Sequence, residues 1–344
     1  MSKKFDVVIG NPPYQEEAQG EGTRDTPVYH LFMEAAYEIG KKAVLVTPAR
    51  FLFKAGFTPK AWNEKMLAST HLSVSDYVPN SDELFPGTDI KGGIAVTYWD
   101  EDREFEPIGT FASYPELETI LQKVLAKHEP SIETTVSSGR DYAYTPAMHD
   151  DYPEASGKMS SDAQFRLSTN AFDRLPFLYH AEKPVGSHKF VRIYGLGGRA
   201  RAYRWIRSEY VKGPESFGAF KVVLPAANGS GTFGEALSNP VVVGPGVGVT
   251  QTFITIGSFD DEVTADGCLK YVRSKFARAL LGVLKITQHN PAKVWKFVPL
   301  QDFSASSDID WTKSIPEVDQ QLYAKYELDA DEIAFIETKV QLME

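Results

Sequence analysis

Two hydrophobic periods alternate along roughly the first hundred residues. Short apolar runs, several rich in β-branched residues, predict strands at residues 5–10, 43–47, 72–78 and 94–99. Between the first three of these strands, apolar residues recur at helical spacing over residues 28–39 and 58–67. Strands that alternate with helices predict a parallel sheet joined by crossover helices, which is an α/β fold. Because only four residues precede the first run, we expect this sheet to be incomplete.

The pattern changes near residue 104. Helices are predicted over residues 115–127 and 271–286, and a last helix follows Asp329-x-x-Glu332, which resembles a capping box. Residues 165–260 mix short apolar runs with glycine and proline, and this composition is typical of strands and irregular structure. We therefore predict two domains, an α/β domain over residues 1–104 and an α+β domain over residues 105–344.

Length and composition limit the class of protein. The chain has 344 residues, of which 42% are hydrophobic and 24% charged, enough to build a sizeable core and to exclude a disordered protein. The single cysteine, Cys268, cannot form an intrachain disulfide and indicates a reducing compartment. No run approaches the 18 or so apolar residues of a membrane span, and no signal peptide is recognisable. We expect a soluble cytoplasmic protein with no membrane partner.

Charge is strongly segregated along the chain. The formal net charge is −10, but residues 183–212 and residues 270–296 each carry about +7. Aromatic residues such as Tyr203, Trp205 and Trp295 lie within these basic runs. Basic segments in an acidic protein predict an electrostatic footprint for nucleic acid, although two solvated faces would give the same pattern.

The sequence Asn11-Pro12-Pro13-Tyr14 follows the first predicted strand directly. It should lie at the carboxyl edge of the sheet, where α/β proteins place their sites. Two prolines in succession fix the backbone and remove both N–H groups, so carbonyl oxygens are left facing outward. The Asn11 oxygen and the Pro12 carbonyl can then accept both N6 hydrogens of adenine, and Tyr14 can stack on a base turned out of the duplex. The alternative is an ordinary Asn-Pro turn with a surface tyrosine.

The stretch Phe-Asp-Val-Val-Ile-Gly-Asn-Pro-Pro-Tyr, residues 5–14, resembles motif IV of the N6-adenine DNA methyltransferases whose recognition region follows the catalytic domain. Residues 29–36, 42–52 and 92–99 are similar to motifs V, VI and VIII of that family. The resemblance implies a partial Rossmann-like methyltransferase sheet, a target-recognition domain after it, and double-stranded DNA as partner. It also implies catalytic roles for Asn11, Pro12, Pro13 and Tyr14, with Tyr98 or Trp99 as the second wall of the base pocket.

The cofactor of that family is S-adenosylmethionine, held by a glycine-rich loop and acidic residues upstream of the Asn-Pro-Pro-Tyr turn. Only ten residues lie upstream here, so we expect the cofactor half to be missing, either because a second chain carries it or because this is a truncated form. A displaced loop at residues 241–249 has a Gly-x-Gly-x-Gly run, but it lacks an acidic residue and contains Pro245, which favours a β-turn. By this reasoning the chain alone should bind S-adenosylmethionine weakly or not at all.

Other chemistry is poorly supported. The seven histidines lack metal-ligand spacing, so no metal is expected. Glu337-x-Lys339 resembles half of a nuclease site but has no strand-borne aspartate before it.

We therefore predict a site-specific adenine-N6 methyltransferase of a restriction-modification system. The alternatives are a non-catalytic DNA-recognition subunit, or the specificity module of a type II restriction endonuclease. The residues predicted to bind DNA are Lys189, Arg192, Arg199, Arg201, Arg204, Arg207 and Lys285.

Overall fold

The computed structural model describes residues 3–16 and 25–343. The chain forms two compact units, Met1–Thr119 and Ile120–Glu344, hereafter unit 1 and unit 2. The division falls later than the predicted residue 104, because the segment that follows the last strand packs back on unit 1. The Phe105 amide donates to the Thr70 carbonyl at 2.6 Å, and the Gly109 amide donates to the Leu67 carbonyl at 2.8 Å.

Unit 1 contains the strands and helices that the hydrophobic periods predicted. They are β1 (Phe5–Gly10), α1 (Tyr29–Ile39), β4 (Gly40–Pro48), α2 (Lys60–Leu67), β5 (Leu72–Val78) and β6 (Ile94–Asp100). A short antiparallel pair, β2 (Gln15–Glu16) and β3 (Thr26–Pro27), follows the turn after β1. The α/β fold class is thereby confirmed.

The four-stranded sheet of unit 1 has the order β1-β4-β6-β5. Strands β1 and β4 are parallel, but β6 runs antiparallel to both of its neighbours, which corrects the predicted all-parallel sheet. A parallel neighbour requires a long crossover, usually a helix. The link between β5 and β6 contains only a short 3₁₀ turn, Ser81–Glu83, so the chain returns alongside β5 in the opposite direction.

The two faces of this sheet differ in burial. On the face against which α1 packs, Ala43, Leu45 and Thr47 of β4 are buried. On the other face, alternate residues of β1 are exposed, with Phe5 at 53% and Ile9 at 78%. In the described part of the chain, no strand pairs with the outer edge of β1.

Unit 2 begins within α3 (Pro115–Ala126) and is mixed α and β, as predicted for the second region. Its strands are β7 (Val136–Ser138), β8 (Ala143–Tyr144), β9 (Phe190–Gly197), β10 (Ala200–Arg207), β11 (Val211–Lys212), β12 (Phe220–Pro225), β13 (Val241–Val243), β14 (Val247–Val249) and β15 (Phe253–Phe259). Its further helices are α4 (Pro146–Asp151), α5 (Ala171–Arg174), α6 (Glu262–Arg273), α7 (Lys275–Gly282), α8 (Ile315–Lys325) and α9 (Ala330–Lys339). The strands form sheets ordered β10-β9-β14, β13-β12-β15-β7 and β11-β8.

Two helix predictions in unit 2 have different outcomes. The single helix predicted over residues 271–286 is in fact the end of α6 followed by α7. Ser274 separates them because its side chain accepts the Ala277 amide at 3.1 Å and so caps α7. The capping box is confirmed, since the Asp329 and Glu332 side chains bond each other's backbone amides at the start of α9.

Within residues 3–16 and 25–343, no helix is long and apolar enough to cross a membrane.

Candidate active site and nucleic-acid interface

A cavity of about 660 Å³ lies in unit 1 where β1 and β4 end. All four residues of the Asn-Pro-Pro-Tyr turn line it. Gly10 pairs with Leu45, so the turn begins beside the last residues of β4. Because parallel strands end at the same edge of a sheet, the two strand ends bring their following residues into one cavity. Its volume falls in the range of about 300–1,000 Å³ that small-molecule sites usually have.

The turn presents its polar groups to the cavity. Asn11 is exposed, and Pro12 and Pro13 carry no N–H group, so the backbone of the turn offers acceptors. After Pro13, the Tyr14 carbonyl accepts the Val28 amide at 3.1 Å, which ties the end of the turn to the start of α1. The Asn11 amide and the Pro12 carbonyl are therefore positioned by a short, rigid segment.

Tyr14 is half-buried at the cavity wall. Burial raises the pKa of its phenol, and the neighbouring Asn11 side chain offsets that rise only in part. Its hydroxyl has no hydrogen-bond partner of normal geometry among the described residues. The phenol is therefore neutral at physiological pH, and the ring is available for stacking.

Two further residues of the cavity were not identified from the sequence. Phe57, which is 63% exposed, and Arg50 line the cavity with the Asn-Pro-Pro-Tyr turn. Arg50 follows Pro48, the last residue of β4. The same rule that located Asn11, a polar residue just after a parallel strand, could have located Arg50.

Tyr98 and Trp99 do not line this cavity. They lie near the end of β6, and since β6 is antiparallel to β4, that end is beside the beginning of β4, opposite Lys42–Val44 in the register. Trp99 stacks on Tyr37 with ring centroids 5.0 Å apart, and the Tyr98 hydroxyl donates to Asp100 at 2.5 Å. Tyr98 and Trp99, which the sequence assigned to the base pocket, therefore lie away from the cavity that the Asn-Pro-Pro-Tyr turn lines, whereas Phe57 lines it.

The site residues fit an acceptor amine better than they fit S-adenosylmethionine. In the described part of unit 1, no glycine-rich turn joins a strand of the sheet to a helix. The run at residues 241–249 is the tight turn between β13 and β14 in unit 2, with Gly246 at φ +72°. It leads into a strand and not into a helix, so it lacks the helix N-terminus that binds a cofactor in such loops. It is the β-turn that its composition favoured.

Unit 2 carries a cationic and aromatic surface on the β9–β10 hairpin, where Trp205 pairs with Arg192 in the register. Its inward side chains include Ile193 and Ile206, both fully buried. On the opposite face, the Arg192 guanidinium lies 5.0 Å from the Tyr203 ring centroid and 5.7 Å from that of Trp205. We use the name hairpin strip for Arg192, Tyr203, Trp205 and the neighbouring Lys183, together with two exposed cations, Lys189 just before β9 and Arg199 in the hairpin turn.

The hairpin strip combines cationic side chains with aromatic rings. Lys189 and Arg199 are exposed, and Lys183 lies 5.5 Å from the Trp205 ring centroid. Arg199 is in the turn between β9 and β10, and a two-stranded ribbon of this kind fits the major groove of DNA. This arrangement suits contact with phosphates and bases.

Three of the arginines predicted to bind DNA are anchored to the protein. Arg201 donates to the Asn239 and Ser238 carbonyls at 2.7 and 2.6 Å. Arg207 pairs with Asp151 at 3.3 Å and with Glu209 at 3.6 Å. Arg204 donates to the Tyr203 carbonyl at 2.9 Å and lies 5.7 Å from the Phe172 ring centroid. Arg201 and Arg207 therefore connect the hairpin to other segments of unit 2.

The second basic run is largely internal, which corrects the expectation that it binds DNA. Lys285 is only 5% exposed, and its amine lies 2.5 Å from Glu235 in an ion pair. Arg278 is 2% exposed, and Lys275 pairs with Glu337 at 2.5 Å. A buried charge must be paired or hydrogen-bonded, so these cations neutralise and bond other parts of unit 2. Exposed positions in this run include Lys293 and Lys296.

Glu337, the acidic residue of the nuclease-like pair Glu337-x-Lys339, makes contacts within unit 2. Glu337 accepts from Lys275 and from the Tyr323 hydroxyl, the latter at 2.9 Å. Among residues 3–16 and 25–343, no group of three or more histidine, cysteine, aspartate or glutamate residues could hold a metal ion.

Comparison with known proteins supports the reading of unit 1. Residues 1–85 match the family described as Eco57I restriction-modification methylase. A curated relative, an uncharacterized adenine-specific methylase of Mycoplasma pneumoniae, is 28% identical over 99 residues, which are 28% of this chain and 24% of that protein. These similarities confirm the resemblance that the motifs indicated.

Two solved structures are similar to this chain over most of its length. Both are longer proteins, and the match covers only about half of each. The type IIG restriction endonuclease BpuSI has a TM-score of 0.36 and 12% identity, and the match covers 96% of this chain and 52% of that one. The type IIL restriction-modification enzyme MmeI, solved in complex with DNA, has a TM-score of 0.41 and 10% identity, covering 97% and 56%. This chain thus spans about a quarter of the curated relative and about half of these two structures.

Proposed function

We propose that this chain, whose first 85 residues are similar to restriction-modification methylases, methylates the N6 amine of adenine in DNA. The observation that carries the proposal is the cavity where β1 and β4 end, which gathers the whole Asn-Pro-Pro-Tyr turn. The substrate is an adenine turned out of a duplex, because its amine is otherwise paired and out of reach.

The turn recognises the amine. The Asn11 side-chain oxygen and the Pro12 carbonyl accept the two N6 hydrogens, which draws the nitrogen toward tetrahedral geometry and exposes its lone pair. Tyr14 and Phe57 supply the aromatic walls, and stacking on an aromatic ring is typically worth about 1–3 kcal/mol per base. An amine held by two acceptors also distinguishes adenine from thymine, whose corresponding position is a carbonyl oxygen.

We infer from the family similarity that the methyl donor is S-adenosylmethionine. We propose that unit 1 binds the acceptor adenine and that a separate cofactor-binding part holds the donor. The open edge of β1, with exposed Phe5, Val7 and Ile9, is where an additional strand can join the sheet. That strand belongs to a cofactor-binding part, in this protein or in a second chain.

The hairpin strip is the proposed contact with double-stranded DNA. Its cations reach solvent, whereas those of the second basic run largely do not. We propose that Arg199 in the hairpin turn contacts base edges and that Lys183, Lys189 and Arg192 contact phosphates.

The function is tested by methyl transfer. The purified chain, alone and together with the product of the adjacent reading frame, is incubated with tritiated S-adenosylmethionine and DNA that lacks N6-methyladenine. We expect label in N6-methyl-2′-deoxyadenosine, its loss in Asn11→Ala, and its retention in Glu16→Ala, an exposed neighbour outside the cavity lining. Tyr14→Phe keeps the ring and should remain active, whereas Tyr14→Ala should lose most activity. Methylated cytosine as product, or full activity of Asn11→Ala, would contradict the proposal.

The DNA contact is tested by salt dependence. Neutralising Lys189 and Arg199 together, as Lys189→Ala and Arg199→Ala, should weaken binding to a random-sequence duplex. The slope of log K against log salt should fall in size by about 0.9 for each phosphate contact that is lost. Lys293→Ala together with Lys296→Ala, which removes two exposed cations of the second run, is the matched control and should change neither quantity. If the control and the double variant behave alike, total charge and not the hairpin strip governs binding.

A further inference from the structure

The cavity in unit 1 is lined by one arginine, Arg50, that recognition of the adenine amine does not explain, because a guanidinium and an amine both donate hydrogen bonds. Arg50 lines the cavity with the Asn-Pro-Pro-Tyr turn and Phe57. Among residues 3–16 and 25–343, no carboxylate forms an ion pair with its guanidinium. A half-buried arginine with no ion pair in a ligand-sized cavity indicates a ligand that is negatively charged.

The backbone holds this guanidinium in place. Its Nε atom donates to the Lys91 carbonyl at 2.6 Å. Gly56, at φ +86°, lies against the arginine stem, and a Cβ atom there would be 3.3 Å from the Arg50 Cδ atom. Fixing Nε leaves the two Nη groups as the remaining donors, and their planar fork matches two oxygens of one anion.

The carboxylates beside the cavity have other partners. Asp89 pairs with the Lys91 amine at 2.7 Å, and Asp25 accepts from the Gln15 side chain at 2.6 Å. Neither carboxylate takes up the charge of Arg50, which remains available to the occupant of the cavity.

We propose that Arg50 binds the phosphate group of the nucleotide whose adenine enters the cavity. This rests on the proposed function. The base edge is a poorer match for Arg50, because the Watson–Crick edge of adenine presents one acceptor and one donor, whereas a guanidinium presents donors only. A phosphate offers two oxygens to the fork. Arg50 is therefore a positioning residue that fixes the sugar-phosphate backbone while Asn11 and Pro12 fix the amine.

The experiment measures binding of single nucleotides to the full chain by ligand-observed nuclear magnetic resonance, and it needs neither a cofactor nor a recognition sequence. We expect 2′-deoxyadenosine 5′-monophosphate to bind about tenfold or more tightly than 2′-deoxyadenosine, as a hydrogen-bonded charge pair would give. In Arg50→Gln the two affinities should converge on that of the nucleoside, and Arg50→Lys should keep part of the preference. Arg103→Gln, an exposed arginine of unit 1 outside the cavity, should behave as the parent chain does.

Three outcomes separate this proposal from the proposed function. Equal affinities in the parent chain, or a phosphate preference that persists in Arg50→Gln with an unchanged circular dichroism spectrum, would overturn the role of Arg50 alone. If 2′-deoxycytidine 5′-monophosphate binds as well as the adenine nucleotide, and still depends on Arg50, the phosphate role stands and adenine recognition fails. If no nucleotide binds, both are refuted.

Discussion

The substitution Lys285→Met tests whether Lys285 stabilises unit 2 or binds DNA. The Lys285 side chain is 4% exposed, and its amine donates to Glu235 at 2.5 Å and to the Asn228 carbonyl at 3.0 Å. Burial alone would raise the pKa of Glu235, but Lys285 and the amides of Ser230 and Gly231 together lower it. Lys285→Met would therefore leave a charged, largely buried carboxylate without its counter-ion.

The expected cost follows from what remains around that carboxylate. Removing one partner of a buried ion pair typically costs about 3–5 kcal/mol. Glu235 keeps the Ser230 and Gly231 amides, at 2.8 and 3.0 Å, and its side chain is 14% exposed, so the loss should lie near the lower end of that range. A loss of about 3 kcal/mol corresponds to roughly a hundredfold change in an equilibrium constant.

Cys268 provides the assay. It is the single cysteine of the chain and fully buried in α6 of unit 2, so a thiol reagent can modify it only after unit 2 opens. When reclosing is faster than modification, the labelling rate follows the opening equilibrium. Lys285→Met should label roughly a hundredfold faster than the parent chain, and Lys293→Met, at an exposed position of the same basic run, should label at the parent's rate.

Adding Glu235→Gln to Lys285→Met should recover much of the loss, because the second change removes the unpaired charge. The reasoning would be refuted if Lys285→Met labelled at the parent's rate yet bound DNA more weakly, since Lys285 would then act on DNA and not on stability.

Two other changes test the packing of each unit. Gly93→Ala should destabilise unit 1 by more than about 1 kcal/mol, seen as a lower urea midpoint, because φ there is +74° and a Cβ would lie 2.4 Å from the Val78 carbonyl oxygen. Burial lowers the pKa of Lys221 to about 8, so the folded state binds fewer protons than the unfolded state above that pH. The free energy of unfolding of the parent chain minus that of Lys221→Met should therefore rise between pH 8 and pH 10, because the buried Cys268 and Tyr271, whose pKa burial raises, are common to both chains. A fall of this difference over the same range would contradict the reasoning.

The sequence by itself determined the elements of unit 1 and the turn at the centre of the site. A run of β-branched residues that stops at Gly10 and two prolines defines both the strand and its rigid end, because these are local properties of the backbone. The capping box at Asp329 and the turn at residues 244–246 are local in the same way, and they too were predictable.

Only the tertiary structure decided which neighbours those elements meet. Alternation assigns residues to a face of a strand but does not give the direction of β6. Because β6 is antiparallel to β4, Tyr98 and Trp99 lie at the opposite edge of the sheet from the cavity that Phe57 lines. Composition likewise gives the number of charged residues in a segment, but it does not show which of them form ion pairs in the folded protein. Lys285 and Glu235 are 50 residues apart in the chain, and only folding brings them to 2.5 Å. Arg199 lies in a hairpin turn and is exposed, so two cations that look alike in the sequence differ in burial because one of them pairs with a carboxylate.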